Sequence, residues 1–333
     1  MRFVLAFILA MLPALAFGQT LDAVKTRGFL RCGSTEALAG FSQVSPEGLW
    51  SGFDVDMCRA VAAAIFGDPN RVEFISLAGK SRFAPLQNGE VDIMARNAPW
   101  TMGRDTGLEV RYVGTTFYDG QAFLIRNHGG VISALDLKDV SICAIRGSNH
   151  LANMRNFFFL GQVDYTEVLY EDDNDLITAY RTGLCDVVTD DATRLYAIRD
   201  ALGDPTGHRI LPERLSKEPL GPVIRTGDDQ WRNVVTWVIY AMINAEELGV
   251  SSHNIDTMAA ADNPAIRRLL GLDGDFGASI GLSPTWARNI ISTVGNYGEI
   301  FDRNLGSSST LKITRGRNAL WNKGGLIFAP PIR

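Results

Sequence analysis

The chain has 333 residues, of which 46% are hydrophobic and 21% are charged, and its formal net charge is −5 at pH 7. This composition is typical of a globular protein, and the mild negative charge gives no electrostatic attraction for nucleic acid or anionic membranes. A chain of this length is large enough for two lobes of typical domain size.

The first 18 residues have the pattern of a secretory signal peptide. A positive start and an apolar run over residues 3–15 are followed by small residues at Ala16 and Gly18, which predict cleavage before Gln19. A membrane anchor needs about 20 apolar residues, and this run is shorter. No cysteine follows the run at the position that lipoprotein processing requires. We therefore expect an exported, unanchored chain.

Cysteine usage agrees with export. The four cysteines are Cys32, Cys58, Cys143 and Cys185. An even number allows three pairings, and an oxidising compartment favours disulfides over four free buried thiols, which is the alternative. None has Cys-x-x-Cys spacing and no histidine-rich motif accompanies them, which argues against a zinc site. Pairing Cys32 with Cys58 and Cys143 with Cys185 would keep each bridge within one lobe, and we predict these two bonds.

Between the first cysteine and the middle of the chain, strands and helices alternate. The predicted elements are a strand at 28–32, a helix at 54–66, a strand at 72–77, a short helix at 81–88 and a strand at 91–95. In the first helix, Val55, Cys58, Val61, Ala62 and Ile65 form an apolar face. Asp54 is the predicted N-cap, because its carboxylate can accept a free backbone N–H, and Gly67 ends the helix.

The same alternation continues in the second half. A strand is predicted at 140–145, a helix at 174–182 and a strand at 186–188, and the clearest helix spans residues 228–248 before Gly249. Strands separated by helices indicate parallel sheets that are covered on both faces.

The segment from Gly52 to Ile65 carries a more specific pattern: glycine, an aromatic residue, two acids that flank an apolar residue, and then a small-apolar helical face. This pattern resembles the signature of family 3 extracytoplasmic solute-binding proteins, which deliver amino acids to ABC importers. Five further segments resemble the same family, at residues 117–121, 216–222, 227–231, 296–301 and 319–326. The last two are similar to its general L-amino-acid-binding branch, whose chains carry a long C-terminal extension.

The resemblance implies an α/β fold of the type II periplasmic binding protein (Venus-flytrap) class, with two lobes that are each a mainly parallel sheet covered by helices. It implies that residues 19–123 and 221–333 form lobe 1, which includes the C-terminal extension, and that residues 124–220 form lobe 2. The chain is expected to cross between the lobes near residues 121–126 and 219–223, and the two crossings would form a hinge.

An amino acid zwitterion needs a bidentate donor and backbone amides for its carboxylate, and an acidic acceptor for its ammonium. Arg104 matches the family's carboxylate-binding arginine, and its guanidinium has the required fork geometry. The turn at 147–149 matches the family's Gly-Thr-Thr turn, which implies carboxylate binding by Ser148 and Asn149 at a helix start. Asp191 matches the ammonium-binding aspartate; a helix N-cap at a strand end is the alternative interpretation of this residue.

Further residues are implied to complete the ligand-binding set. Asn97 and Ala98 lie in the same segment as Arg104, close before it in sequence. Leu38 and Phe41, together with Trp100, are expected to form an apolar wall for the ligand side chain. Leu38 takes a position where histidine and lysine binders of the family stack an aromatic ring, which favours a broad binder.

The chain also departs from the family pattern. Pro99 stands where a serine or threonine usually supplies a backbone N–H, and proline has none. Asn149 replaces the second threonine of the turn, Arg146 replaces a neutral residue, and Asp190 places a second acid beside the ammonium site. These changes leave the ligand specificity open, including a narrower or shifted one.

The implied function is binding of L-amino acids in the periplasm and their delivery to the permease subunits of an ABC importer, by a monomer without cofactor or metal. The four histidines lack metal-ligand spacing, and neither a Gly-x-Ser-x-Gly motif nor a P-loop occurs. Two alternatives remain, a periplasmic cyclohexadienyl (prephenate or arogenate) dehydratase on the same fold and a sensory ligand-binding protein. The retained arginine and aspartate and the long C-terminal segment favour transport.

Overall fold

The computed structural model describes residues 20–77, 82–127 and 130–333. The predicted signal peptide and its cleavage before Gln19 lie outside these residues. Within the described part of the chain, none of the helices has the length and apolar character needed to span a membrane. The described residues form two α/β lobes, each with a five-stranded sheet. A separate two-stranded sheet is formed by the segments where the chain passes from one lobe to the other.

The elements are given in chain order. Up to the first crossing they are α1 (Thr20–Arg27), β1 (Leu30–Ser34), β2 (Ala37–Leu38), β3 (Ser42–Val44), β4 (Trp50–Ser51), α2 (Phe53–Phe66), β5 (Val72–Ser76), α3 (Ala84–Gln87), β6 (Ile93–Met94), α4 (Met102–Gly107), β7 (Val110–Tyr112) and β8 (Phe117–Asp119). The second group is β9 (Gln121–Arg126), β10 (Val140–Ile145), α5 (Asn149–Gly161), β11 (Tyr165–Tyr170), α6 (Asp173–Thr182), β12 (Val187–Asp191), α7 (Ala192–Ala201), β13 (His208–Ile210) and β14 (Glu218–Leu220). The last group is β15 (Val223–Arg225), α8 (Asp229–Glu247), α9 (Ile255–Ala259), α10 (Pro264–Leu269), α11 (Trp286–Thr293) and α12 (Tyr297–Asn304).

The sheet of the first lobe has the strand order β5-β1-β6-β15-β7. Strand β1 runs parallel to both of its neighbours, with Cys32 opposite Phe74 of β5 and Ile93 of β6. Strand β15 returns from the second lobe and runs antiparallel, with Val223 opposite Met94 of β6. Helices α2, α8 and α11 pack against one another in the main core of this lobe.

Helix α2 begins and ends at glycines. Gly52, with φ of 133°, precedes the helix, and a Cβ atom there would lie 2.3 Å from the carbonyl oxygen of Phe41. Gly67, with φ of 71°, ends it in the left-handed conformation. The prediction that Asp54 caps the helix is wrong, because no side chain caps this end. The Asp54 carboxylate instead accepts the backbone N–H of Asn97 at 2.7 Å.

Both predicted disulfides are confirmed. Cys32 of β1 is bonded to Cys58 of α2, and Cys143 of β10 is bonded to Cys185, which lies just before β12. All four residues are buried, and each bond stays within one lobe. Such bonds stabilise a fold mainly by restricting its unfolded chain.

The sheet of the second lobe has the strand order β11-β10-β12-β9-β13. Strand β10 runs parallel to β11 and β12, as the sequence predicted for the segments around Cys143 and Cys185. Strand β9 runs antiparallel to β12, with Phe123 opposite Thr189. Two apolar clusters cover this sheet, one around Tyr180 and the other around Phe158.

Two extended segments connect the lobes. Strands β8 and β14 pair antiparallel, with Asp119 opposite Glu218. The C-terminal extension holds this connection, because the Asn318 side chain accepts the backbone N–H of Tyr118 at 2.6 Å and donates to its carbonyl at 3.2 Å. Asn318 of the C-terminal extension thereby contacts β8, one of the two segments that connect the lobes.

Most of the predicted elements are present, with adjusted ends. The helix predicted at 228–248 is α8, one residue shorter at each end. The helix predicted at 81–88 is helical only over Ala84–Gln87, with Pro85 in its first turn. Residue 81 lies outside the described part of the chain. The strand predicted at 91–95 pairs in the sheet only over Ile93–Met94.

Candidate functional site

The candidate site begins where three strands of the first lobe end together. The Ser34 hydroxyl at the end of β1 donates to the carbonyl of Ala95 at 2.6 Å, and the N–H of Leu77 donates to the carbonyl of Ser34 at 2.7 Å. Ligands of α/β proteins bind at the carboxyl ends of parallel strands, where loops diverge. The segment after β6 contains most of the predicted lobe 1 site residues, namely Asn97, Ala98, Trp100 and Arg104.

Asn97 joins this edge to the second lobe. Its backbone is left-handed, with φ of 48°, a conformation that asparagine tolerates better than most residues. Its N–H is held by Asp54, and its side-chain amide donates to the hydroxyl of Thr193 on α7 at 3.1 Å. Burial raises the pKa of Asp54 to about 7, against the opposing effects of this N–H and of Arg96. The two lobes therefore touch at the segment that leads from β6 to α4, the helix of Arg104.

Arg104 lies in the first turn of α4, after the N-cap Thr101. Its Nη1 donates to the carbonyl of Pro99 at 2.8 Å, and the hydroxyl of Tyr112 donates to the same oxygen at 2.7 Å. Burial raises the pKa of Tyr112, although the Arg104 charge opposes this shift. Pro99 has no N–H that could bind a ligand, but its carbonyl accepts a hydrogen bond that orients the predicted site residue Arg104.

Two further arginines surround Arg104. Arg82 and Arg104 each place their guanidinium carbon 5.8 Å from the centre of the Phe83 ring. Arg96 donates to the carbonyl of Leu77 at 2.6 Å. Burial and the charge of Arg104 lower the pKa of Arg82, and burial and the charge of Arg82 lower the pKa of Arg96 to about 10. The three guanidinium groups form one cationic cluster on the first lobe.

On the second lobe, the predicted turn opens helix α5. Gly147, with φ of 70°, allows the reversal, and Ser148 is the N-cap whose hydroxyl accepts the N–H of Leu151 at 3.1 Å. Asn149 is the exposed first residue of the helix. The free N–H groups of this 13-residue helix lie at its start, where a partial positive charge favours an anion.

Asp191 lies at the end of β12 and precedes α7, but its side chain makes no capping bond. Its Oδ1 is 3.1 Å from Nε2 of His150, whose Nδ1 is 3.6 Å from Oδ1 of Asp190. Burial lowers the pKa of His150, but the hydrogen bond to Asp191 and the two carboxylate charges outweigh it and raise the pKa. Burial raises the pKa of Asp190 to about 6, although His150 and Arg194 oppose it.

The same three side chains are the group, within the described ranges, that comes closest to metal-ligand geometry. One atom each of His150, Asp190 and Asp191 lies within 4.8 Å of the others. Nε of Arg194 lies 3.0 Å from Oδ2 of Asp190 and forms an ion pair with it. The positive charge of this guanidinium offsets part of the negative charge that would attract a metal ion. The group of His150, Asp190 and Asp191 therefore fits an organic ammonium better than a metal ion.

Two acids of the connecting sheet add to this negative region. Asp119 is buried and accepts the hydroxyl of Thr193 at 2.6 Å; burial and the charge of Asp191 raise its pKa to about 7. Burial and the Asp191 charge also raise the pKa of Glu218, while Arg104 lowers it. Glu218 thus interacts with charges from both lobes.

The predicted apolar wall is only partly present. Phe41 is 1% exposed, with its ring centre 5.2 Å from that of Phe117, so it belongs to the core and has almost no surface to offer a ligand. Trp100 is 36% exposed and stacks on Tyr112, with ring centres 5.4 Å apart. Leu38 is half-buried against the same core as Phe41. Ala98 is buried, so only its backbone is available to a ligand.

Several residues of this region escaped the sequence analysis. His150 follows the recognised turn directly, and its position as second residue of a predicted helix start was the available signal. Arg96 follows a predicted strand and Arg82 lies at the start of the short helix predicted at 81–88, but isolated arginines are commonly surface charges. Asp119 and Glu218 are 99 residues apart and meet only because β8 pairs with β14.

Comparison with known proteins agrees with this architecture. The family model described as bacterial extracellular solute-binding proteins, family 3, matches residues 30–252. The general L-amino acid-binding periplasmic protein AapJ of Rhizobium johnstonii is 47% identical over 330 residues, which cover 98% of this chain and 97% of that protein. The glutamate/glutamine/aspartate/asparagine-binding protein BztA of Rhodobacter capsulatus is 44% identical over 325 residues, covering 97% and 96%.

One solved structure is similar over nearly its whole length. It is an ABC transporter periplasmic binding protein from Brucella ovis with glutathione bound. It is 48% identical to this chain and superposes with a TM-score of 0.86, covering 95% of this chain and 99% of that one.

Proposed function

This chain belongs to the bacterial extracellular solute-binding proteins of family 3, and from that premise we propose that it binds free L-amino acids in the periplasm and delivers them to an ABC importer. The observation that carries the proposal is the separation of charge between the two lobes. The first lobe presents the cationic cluster around Arg104, and the second presents the acidic group around Asp191. A zwitterion has the matching pair of charges.

The ligand carboxylate would be bound by Arg104 and by the start of α5. Arg104 uses one Nη1 hydrogen for Pro99, and the fork of a guanidinium has four other N–H groups. The first N–H groups of α5, next to Ser148 and Asn149, would hold the carboxylate from the second lobe. Asn97 supports this arrangement because it already joins the lobes through Thr193.

The ligand ammonium would be bound by Asp191. An ionised aspartate accepts hydrogen bonds only, and charge-assisted hydrogen bonds are the stronger class. His150 contacts one oxygen of Asp191 and leaves the other for the ligand. The low exposure of Asp119 and Asp190 fits a position behind Asp191 rather than direct contact with the ligand.

Closure of the lobes around the ligand is the step that would couple binding to delivery. The sheet of β8 and β14 supplies the only backbone connection between the lobes within the described ranges, so it is the natural pivot. We propose residues 19–123 with 221–333 as lobe 1, and residues 124–220 as lobe 2. The closed form would present a joint surface of both lobes to the membrane permease, as hinge-closing binding proteins do.

Export and assembly complete the proposal. Cleavage before Gln19 would release the chain into the periplasm, where both disulfides form. The partner is the permease, and the binding protein acts as a monomer without cofactor. The named relatives are binding proteins, and we propose that this chain has no catalytic activity.

One observation favours the alternative function, that of a cyclohexadienyl dehydratase. The pKa of Asp119 is raised to about 7, which is the range of a general acid. Against this role, Asp119 is 5% exposed and is bound by Thr193. Incubation with prephenate decides between the functions, because a dehydratase releases phenylpyruvate, whereas a binding protein leaves prephenate unchanged.

Thermal-shift screening against all common L-amino acids and glutathione tests the main proposal. A ligand present at one hundred times its Kd stabilises the folded state by about 2.7 kcal/mol, which is easily measured. We expect stabilisation by several L-amino acids. The proposal fails if none of the L-amino acids stabilises the protein, whether or not glutathione does, or if prephenate is turned over without any amino acid binding.

A further inference from the structure

Part of the C-terminal extension contacts both lobes as well as the segment that connects them. Residues 305–318 follow α12, and we call them the strap; its last residue, Asn318, is the one that binds β8. Leu305, Leu311 and Ile313 of the strap are buried in the main core of the first lobe. The N–H of Ile313 donates to the carbonyl of Leu305 at 2.8 Å, which closes this part of the strap into a loop. The strap is therefore a well-anchored part of the first lobe.

The strap also binds the last turn of α7, a helix that packs in the core of the second lobe. Nη2 of Arg199 on this helix donates to the carbonyl of Leu311. The hydroxyl of Thr310 donates to Oδ2 of Asp200 at 3.1 Å. The ring of Tyr196 packs against the cores of both lobes, and the guanidinium carbon of Arg199 lies 5.0 Å from the ring centre. These contacts join the lobes without passing through the sheet of β8 and β14.

Helix α7 thus contacts the first lobe or the connecting sheet near both of its ends. In its first turn, the Thr193 hydroxyl accepts the side-chain amide of Asn97 at 3.1 Å and donates to Asp119 of β8 at 2.6 Å. In its last turn, Arg199 lies six residues later, which is about 9 Å along a helix axis. A rotation that separates the lobes moves α7 away from the first lobe, so opening breaks contacts at one end of this helix or at both.

The environment of Arg199 suits a contact that forms and breaks reversibly. Among the described residues, its Nε is buried and has no hydrogen-bond partner. A buried donor without a partner raises the free energy of the state that contains it, and opening would let water satisfy this N–H. Opening also gives up the hydrogen bond to Leu311 and the packing on Tyr196. These opposing effects favour a small free-energy difference between the open and the closed state, which a hinge needs if a ligand is to shift it.

We propose that the strap is a third connection between the lobes, and that it limits their opening when no ligand is bound. Its bonds to Arg199 and Asp200 hold α7 beside the first lobe, whereas β8 and β14 alone would permit a wider rotation. A ligand then has less reorganisation to drive, because its apparent Kd falls as the population of the binding-competent form rises. The inference goes beyond the proposed function and does not depend on it, since opening can be measured without a ligand.

Small-angle X-ray scattering of the ligand-free protein tests the strap. A compact chain of this size has a radius of gyration of about 20 Å, and Arg199→Ala should raise the radius by roughly 1 Å because the contacts with the strap and with Tyr196 are lost. Thr310→Val keeps the shape of an exposed side chain but loses the bond to Asp200, so it should cause a smaller increase. Arg181→Ala is the matched control, because Arg181 is exposed in the last turn of α6 on the same lobe.

Circular dichroism and the thermal midpoint confirm that each variant folds, and if Arg199→Ala does not fold, Thr310→Val carries the test. An unchanged radius of gyration in the folded variant, or an equal increase in Arg181→Ala, would overturn the inference. Amino-acid binding with unchanged radii removes this inference and leaves the proposed function intact. The expected increase in a protein that binds no amino acid does the reverse.

Discussion

The imidazole Nε2 of His150 and the carboxylate Oδ1 of Asp191 lie 3.1 Å apart, so one residue from the start of α5 contacts one from the end of β12. The contact joins the two structures that the proposal assigns to opposite ends of the ligand. The helix start would receive the carboxylate, and Asp191 would receive the ammonium. The protonation state of His150 therefore affects the charge at both ends.

The first prediction concerns the pH dependence of His150. Its pKa is raised in the folded state, so its interaction with Asp191 stabilises the fold fully below the unfolded-state value of about 6.5 and is lost as pH rises through the folded-state pKa. His150→Gln should lower the thermal midpoint of the ligand-free protein clearly at pH 5.5 and much less at pH 8.5. His253→Gln is the control, because its side chain is 90% exposed. A difference between wild type and His150→Gln that does not change with pH would contradict the assignment.

The second prediction concerns Arg104. Arg104→Ala should weaken amino-acid binding by about 2–5 kcal/mol, roughly 30-fold to several thousandfold, because truncation leaves the ligand carboxylate without its charged partner. Folding should be little affected, since Arg104 lies in the first turn of a short, exposed helix. Calorimetric titration measures the loss. Arg111→Ala, at a half-exposed position of the same lobe, should bind normally, and normal binding by Arg104→Ala itself would remove Arg104 from the site.

The third prediction concerns Asp191. Asp191→Asn keeps the shape of the side chain but loses its charge, so it should weaken L-amino acids by about 1.5–3 kcal/mol. Analogues that lack the amino group should be affected much less, because they never contacted the carboxylate. Competition titrations with an amino acid and its deaminated analogue give the two effects. Asp229→Asn, which removes an acid that is 89% exposed, is the control, and equal weakening of both ligands would contradict the ammonium role.

The fourth prediction concerns the disulfides. Replacing both cysteines of either pair by serine should reduce the free energy of unfolding by about 2–4 kcal/mol, because the unfolded chain regains the freedom of the closed loop. Urea unfolding measures this change. Peptide mapping of the non-reduced protein should recover Cys32 linked to Cys58 and Cys143 linked to Cys185. A peptide that links Cys32 to Cys143, or four free thiols, would contradict the structure.

Elements whose signals are local could be predicted from the sequence. Helix α8 has a long apolar period, the N-cap Asp228 and a terminating Gly249, and its ends differ from the prediction by one residue. Strand β10 has the predicted bounds. The short strand β6 was overestimated, because an apolar run shows burial but does not show how many of its residues pair in a sheet.

Features that depend on distant partners could not be predicted in this way. The Asp54 carboxylate was expected at its own helix end but is bound to Asn97, 43 residues later. Phe41 was expected at the ligand, but it is buried in the core, where the rings of Phe53 and Phe117 pack against it. Resemblance to a family supplied Arg104 and Asp191. It did not supply Arg82 or His150, where neighbouring side chains determine the environment.

The carbonyl of Pro99 has a consequence for the energetics of binding. By accepting hydrogen bonds from Arg104 and Tyr112, it holds the arginine in one orientation before any ligand arrives. Immobilising a long side chain on binding costs about 0.5–1.5 kcal/mol of conformational entropy. The residue that removes one amide from the site thus preorganises the guanidinium, and a ligand meets an arginine whose rotameric freedom was already lost during folding.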